Sequence, residues 1–156
     1  QEIVYEGYAP HGVPIIVECA TDNPTRTVAN VRLVFSKNGG SMGNSGSVLF
    51  MFERKGVFKI ERSKISLETL ELELIDAGAE DIETADDKIT IYTKFNDFGL
   101  MQKFLESQSV EADSTELQYI PAATKSLSDE QQDEVLKLVD ALEADDDVQT
   151  VYHNLA

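Results

Sequence analysis

The chain has 156 residues, 42% of them apolar and 27% charged, and a formal net charge of −16. That length suits one ordinary domain or two small ones, and the composition is that of a globular protein. No run approaches the ~18 uncharged apolar residues of a membrane helix, and a single cysteine, Cys19, excludes an internal disulfide and fits a reducing compartment.

After a turn-rich opening at Tyr8-Ala9-Pro10-His11-Gly12, residues 13–19 are apolar and β-branched and predict a strand, which Pro14 confines to an edge or to its first residues. Asp22-Asn23-Pro24 then offers an N-cap with proline at the first helical position, and Val28, Val31, Val34 and Phe35 recur at helical spacing. This helix ends at Asn38-Gly39-Gly40, residues that tolerate a left-handed backbone. A glycine-rich loop runs on to Gly46. Alternation through Val48, Phe50 and Phe52, a turn at Lys55-Gly56 and a return over residues 57–60 predict a hairpin.

Ser66 opens a helix reaching about Ala77, with Leu67, Leu70, Leu74 and Ile75 as its apolar face and Gly78 as its stop. Residues 81–83 and 88–93 predict a second hairpin, Asp97 caps a helix carrying Leu100, Met101, Phe104 and Leu105, and residues 116–120 form a strand closed by Pro121. Ser128 with Gln131 makes a capping box for a helix bearing Val135, Leu138, Val139 and Leu142. The acidic turn Asp145-Asp146-Asp147 leads into a last strand over residues 148–155. These elements predict an α+β protein of two ferredoxin-like α/β domains, the second inserted into the first. The expected outer domain is 1–63 plus 124–156, and the inserted acidic domain is 64–123.

The charge is unevenly placed: residues 1–64 are net +2 and residues 65–156 net −18. Such asymmetry marks a polyanion-facing part beside a repelling part. Catalysis lacks material. His11 and His153 have no partner at metal spacing, Cys19 shares a strand face with apolar residues, and the Asp145-Asp146-Asp147 run lacks the later ligands of a calcium loop. The chain is therefore expected to be no enzyme, with no catalytic residue, no metal and no cofactor. The glycine-rich loop is no Walker loop, since a helix ends there and a strand follows, but its amides could approach a ligand closely. Arg26, Arg32, Lys37, Arg54 and Lys55, on the first helix and the following hairpin, could supply phosphate contacts.

Three stretches carry a resemblance: Tyr5-Glu6-Gly7-Tyr8-Ala9-Pro10-His11-Gly12-Val13, Thr21-Asp22-Asn23-Pro24-Thr25-Arg26-Thr27, and Phe35-Ser36-Lys37-Asn38-Gly39-Gly40 followed by Gly46-Ser47-Val48. Together with the ending Val151-Tyr152-His153-Asn154, they closely resemble the YebC/PmpR family of probable transcriptional regulatory proteins, which includes mitochondrial translational activators of cytochrome c oxidase. The resemblance implies a non-enzymatic, cytoplasmic protein in which a basic helical domain precedes two α/β domains. The chain matches those two later domains, so Gln1 is expected to mark a truncation, a fragment or a divergent start. Ala9 departs from the glycine common in the family. The resemblance further implies a partner that is either promoter DNA or ribosomal RNA on the ribosome. Arg26, Arg32, Lys37, Asn38, Gly39, Gly40, Arg54 and Lys55 are the expected contacts, with Tyr5 and Tyr8 stacking or packing nearby. No membrane partner and no small-molecule ligand are expected. A second reading is a protein-interaction scaffold, in which carboxylates around Glu68, Glu71, Glu73 and Asp76 dock a basic partner.

Overall fold

The computed structural model describes residues 1–156. The chain divides into two compact units, Gln1–Glu53 with Pro121–Ala156, and Arg54–Ile120. Each unit is α+β, a four-stranded sheet with two helices covering one face.

The first unit begins with β1 (Glu2–Ala9), paired antiparallel with β2 (Val13–Ala20) from Glu2↔Ala20 to Ala9↔Val13. The residues between them turn tightly, with His11 and Gly12 at φ of 68° and 72°. Sequence reading missed β1, because adjacent buried positions on its two faces hold Glu6 and Gly7, which hide the alternation. α1 (Pro24–Lys37) follows, then the two-residue β3 (Ser41–Met42), and, after the excursion through the second unit, α4 (Asp129–Glu143) and β8 (Val148–Tyr152). The sheet order is β3-β1-β2-β8. Val31 and Phe35 of α1 and Val135, Leu138 and Leu142 of α4 pack on Ala9, Val13, Ile15 and Val17, all buried.

Local chemistry explains the helix limits. The Asn23 side chain accepts from the Arg26 N–H at 3.1 Å, and Pro24 starts the helix where a missing N–H costs nothing. At the other end the Gly40 N–H donates to the Phe35 carbonyl at 2.8 Å across Gly39 at φ 76°, the six-to-one closure of a helix C-terminus. α4 opens with the reciprocal capping box of Ser128 and Gln131.

The second unit runs β4 (Phe52–Glu61), α2 (Leu67–Asp76), β5 (Ala79–Thr84), β6 (Lys88–Lys94), α3 (Phe98–Ser107) and β7 (Ser114–Pro121), in the sheet order β5-β6-β4-β7. This is the strand, helix, strand, strand, helix, strand plan. Leu74, Ala77, Met101 and Leu105 from the helices bury Phe58, Ile60, Ile89 and Ile91 of the sheet. Ser66 and Asp97 stand at the N-cap positions of α2 and α3 without capping them through their side chains; the Ser66 hydroxyl instead accepts from Thr69 Oγ1 at 2.7 Å.

The hairpin expected over residues 47–60 is corrected by the structure. Residues Leu49–Met51 form one 3-10 turn, and β4 runs unbroken through Lys55 and Gly56, registered on β6 from Lys55↔Lys94 to Glu61↔Lys88. Gly56 serves close packing rather than a turn: a Cβ there would lie 2.5 Å from Thr93 Oγ1 and 2.6 Å from Phe98. No helix is long and apolar enough to cross a membrane.

The start of α1 and the entry to β8 are tied by one carboxylate. Asp147 accepts from the Arg26 guanidinium at 3.0 and 3.1 Å and lies 2.8 Å from the Thr27 hydroxyl, itself 2.7 Å from that of Thr21. The Thr27 hydroxyl first, and the Arg26 guanidinium second, hold the Asp147 carboxyl below its ordinary value of 3.8. A depressed carboxyl pKa contributes stability that is complete above the ordinary value and is lost as pH falls toward the folded one. In urea melts Asp147→Asn is therefore less stable than the parent at neutral pH, and the gap closes as pH drops below about 4; a gap independent of pH removes this role.

Candidate functional site

The glycine-rich loop is fastened from within. Glu6, 2% exposed on β1, accepts from the backbone N–H groups of Gly46 (2.5 Å), Val48 (2.9 Å) and Leu49 (2.8 Å), while its own carbonyl accepts from the Gly43 N–H at 2.8 Å. A concave set of amides of this kind is what binds a phosphate in other loops. Here a side-chain carboxylate already fills it, so the amides of Gly46, Val48 and Leu49 hold Glu6, while the Gly40 N–H closes α1 and Gly39 lies on the pocket beside Lys37.

The neighbouring close approaches are equally structural. A Cβ on Gly40 would lie 2.4 Å from the Tyr8 carbonyl, and one on Gly7 2.6 Å from that of Ser41. Glycine at these positions lets α1, β1 and β3 meet.

Each residue expected to contact nucleic acid has a definite place. In the first unit, Arg26 is committed to Asp147 and reaches Asp22 at 3.4 Å. The Asn38 amide donates to the Val34 carbonyl at 2.8 Å, capping α1. Tyr5 packs against the first core, and burial pushes its hydroxyl pKa up, with Cys19 adding to the rise. Tyr8 is half-buried on β1. Arg32 and Lys37 are exposed on α1, but five residues apart they stand about 140° around its axis and share no stripe.

Lys37 has different company. It lines an open pocket of about 320 Å³ with Pro10, Asn38, Gly39, Glu134 and Lys137. Beside it, His11 Nε2 lies 2.6 Å from Glu134, and the Lys125 ammonium donates to the His11 carbonyl. Lys137 and Lys125 are residues that sequence reading missed. They come from α4 and its approach, about a hundred residues downstream of Lys37, and no local pattern links them.

In the second unit, Arg54 sits over the rings of Phe95 (4.9 Å) and Tyr119 (5.6 Å), with Phe95 46% exposed. Lys55 pairs with Glu80 at 3.3 Å. The guanidinium thus sits over two aromatic rings, a cation–π contact that leaves N–H groups as a donor array. Sequence reading marked Arg54 but not its two rings, which arrive from the turn after β6 and from β7.

The remaining reactive groups are structural. Burial first, and then Asp145, Asp147 and Glu18, push the Cys19 thiol up to about 11. Burial lowers the His153 pKa, and its Nδ1 accepts the Leu155 N–H at 3.1 Å. Asp145 accepts the Asp147 N–H at 2.9 Å, so the acidic run is a turn closed on itself. No group of three His, Cys, Asp or Glu side chains converges as metal ligands.

Comparison with known proteins places this geometry. A family model described as the second and third domain of TACO1/YebC matches residues 1–155. A probable transcriptional regulatory protein of Campylobacter curvus (strain 525.92) is 54% identical over 153 residues, covering 98% of this chain and 65% of the relative. One of Cytophaga hutchinsonii is 53% identical over 156 residues, covering 100% and 66%. The crystal structure of the conserved hypothetical protein Aq1575 from Aquifex aeolicus superposes with a TM-score of 0.85 at 38% identity, covering 100% of this chain and 65% of that one. The chain thus spans about two thirds of the length of these proteins.

Two measurements check the structural assignments. Glu6→Gln turns one acceptor into a donor facing N–H groups, so it costs about 3 kcal/mol in chemical denaturation and speeds amide exchange at Gly46, Val48 and Leu49. Native Cys19 resists alkylation at neutral pH, carrying roughly a hundredfold less thiolate than an ordinary thiol, and unfolding in guanidinium restores its reactivity. Rapid labelling of the folded chain contradicts its buried, inert role.

Proposed function

The chain belongs to the TACO1/YebC family, over the second and third domains of its members, and from that membership we propose that it is a non-enzymatic regulator of gene expression whose target is ribosomal RNA rather than promoter DNA. The relatives are named probable transcriptional regulatory proteins, which supports regulation in general. The choice of RNA rests on the Arg54 stack.

An arginine fixed against two rings, with one ring open to solvent, suits unpaired bases: the exposed face of Phe95 takes a base plane, and the guanidinium edge donates to a base edge or phosphate. Reading duplex DNA calls for a basic element that fills the major groove. α2 carries Glu68, Glu71, Glu73 and Asp76 and no cation, α4 carries six carboxylates and one lysine, and on α1 Arg26 is paired with Asp147 while Arg32 and Lys37 stand about 140° apart. None offers a basic face to a groove. In the first unit, Lys37 and Lys137 beside Gly39 supply a phosphate contact through side chains, which the self-filled glycine loop does not.

The test is a salt-titrated binding assay of the chain against purified ribosomes, an unpaired purine-rich RNA and a promoter-length DNA duplex. Ribosomes and unpaired RNA bind more tightly than the duplex. Phe95→Ala weakens RNA binding by about 1–3 kcal/mol, and Lys37→Ala with Lys137→Ala flattens the salt dependence by about one unit of slope per contact. Sequence-selective, steeply salt-dependent binding to the duplex overturns the RNA assignment.

A further inference from the structure

We infer that the groove between α2 and α3 is a docking site for a basic amphipathic helix of a partner protein, a surface separate from the nucleic-acid contacts above. Both helices pack on one face of the second sheet through Leu74, Ala77, Met101 and Leu105. Between them lies an open groove of about 470 Å³, lined by Ala77, Leu100 and Phe104 with Glu73, Asp76 and Lys103. Leu100 is 51% exposed, and α2 leaves Leu72 77% and Ile75 52% exposed. Half of the large apolar side chains that the whole chain leaves in solvent therefore stand on these two short helices. Leu72 and Ile75 stand on the outer face of α2 rather than in the groove, so the groove itself offers Leu100 and Phe104 as apolar anchors, rimmed by polar residues as an interaction surface is.

The chemistry of the surroundings selects the occupant. α2 carries four carboxylates, Glu68, Glu71, Glu73 and Asp76, and no cation, with Glu73 and Asp76 on the groove itself, while Lys103 and Glu106 offset each other on α3. An anionic lipid surface or a nucleic acid is repelled by this acidic helix. A second copy of this chain is disfavoured, since α4 is acidic, Arg26 of α1 is held by Asp147, and the net charge of −16 opposes self-association. The complement is a helix with apolar residues at i, i+3 or i+4 and i+7, which fill the groove, and with lysine or arginine flanking them. Such a pairing draws affinity from the apolar anchors and orientation from the charges.

The probe is a leucine–lysine amphipathic peptide of about five helical turns, compared with a scrambled peptide of the same composition and with a leucine–glutamate version. In titrations followed by amide and methyl resonances of the chain, the leucine–lysine peptide shifts Ala77, Leu100 and Phe104. Leu100→Ser weakens it about tenfold, as loss of one apolar anchor does, and Glu73→Gln with Asp76→Asn flattens its salt dependence. Because Leu100 is exposed, its replacement leaves the fold intact, which circular dichroism verifies. Equal binding of the scrambled peptide, or shifts centred on the acidic face of α4, reduces the effect to general charge attraction and overturns the proposal. Concentration-dependent broadening of the same resonances without peptide, abolished by Leu100→Ser, assigns the groove to a second copy and also overturns it.

Discussion

The buried carboxylate of Glu6 is the interaction on which the first unit turns. β1 is an interior strand, flanked by β3 and β2, and only one of its faces meets the helical core. On the other face Glu6 gathers the amides of Gly46, Val48 and Leu49 and fixes the loop that leads from β3 to β4. A carboxylate taken from water without partners is costly, and three charge-assisted N–H bonds offset that cost. The glycines at 7, 40 and 43 follow from the same constraint, because the loop and helix end must come close enough for those amides to reach the side chain.

This arrangement also decides what the loop can do. A nest of backbone amides is useful for phosphate recognition only while it is empty, and here the protein supplies its own anion. In the function proposed above, contacts to a polyanion therefore fall to side chains, and those are arranged in two different ways. Lys37 and Lys137 converge on a pocket beside Gly39 in the first unit, and Arg54 lies against Phe95 and Tyr119 in the second. Arg26, which looks equivalent in the sequence, is spent on Asp147. Family membership and the likeness to a crystal structure over the whole chain agree with a scaffold of this form.

Local signals were read well and non-local ones poorly, for a reason visible in particular residues. Asn23-Pro24, Asn38-Gly39-Gly40 and the Ser128/Gln131 box act within a turn of helix, so α1 and α4 were placed from the sequence with their caps. β1 was missed because Glu6 and Gly7 occupy buried positions that only a loop forty residues away makes sense of. Lys55-Gly56 reads as a turn but is straight strand, since the reason for its glycine is Thr93 and Phe98 on neighbouring elements.

The amino-acid sequence by itself determined the α+β class, the helix limits, the uneven charge, the family resemblance and the poverty of catalytic groups, because each depends on composition or on residues close in the chain. Only the tertiary structure decided which cations are committed and which face solvent, that the glycine loop is closed by Glu6, that Lys137 joins Lys37, and that Arg54 lies on two rings. Those outcomes join residues tens to a hundred positions apart, and the pairing of a charge is set by what the fold brings beside it.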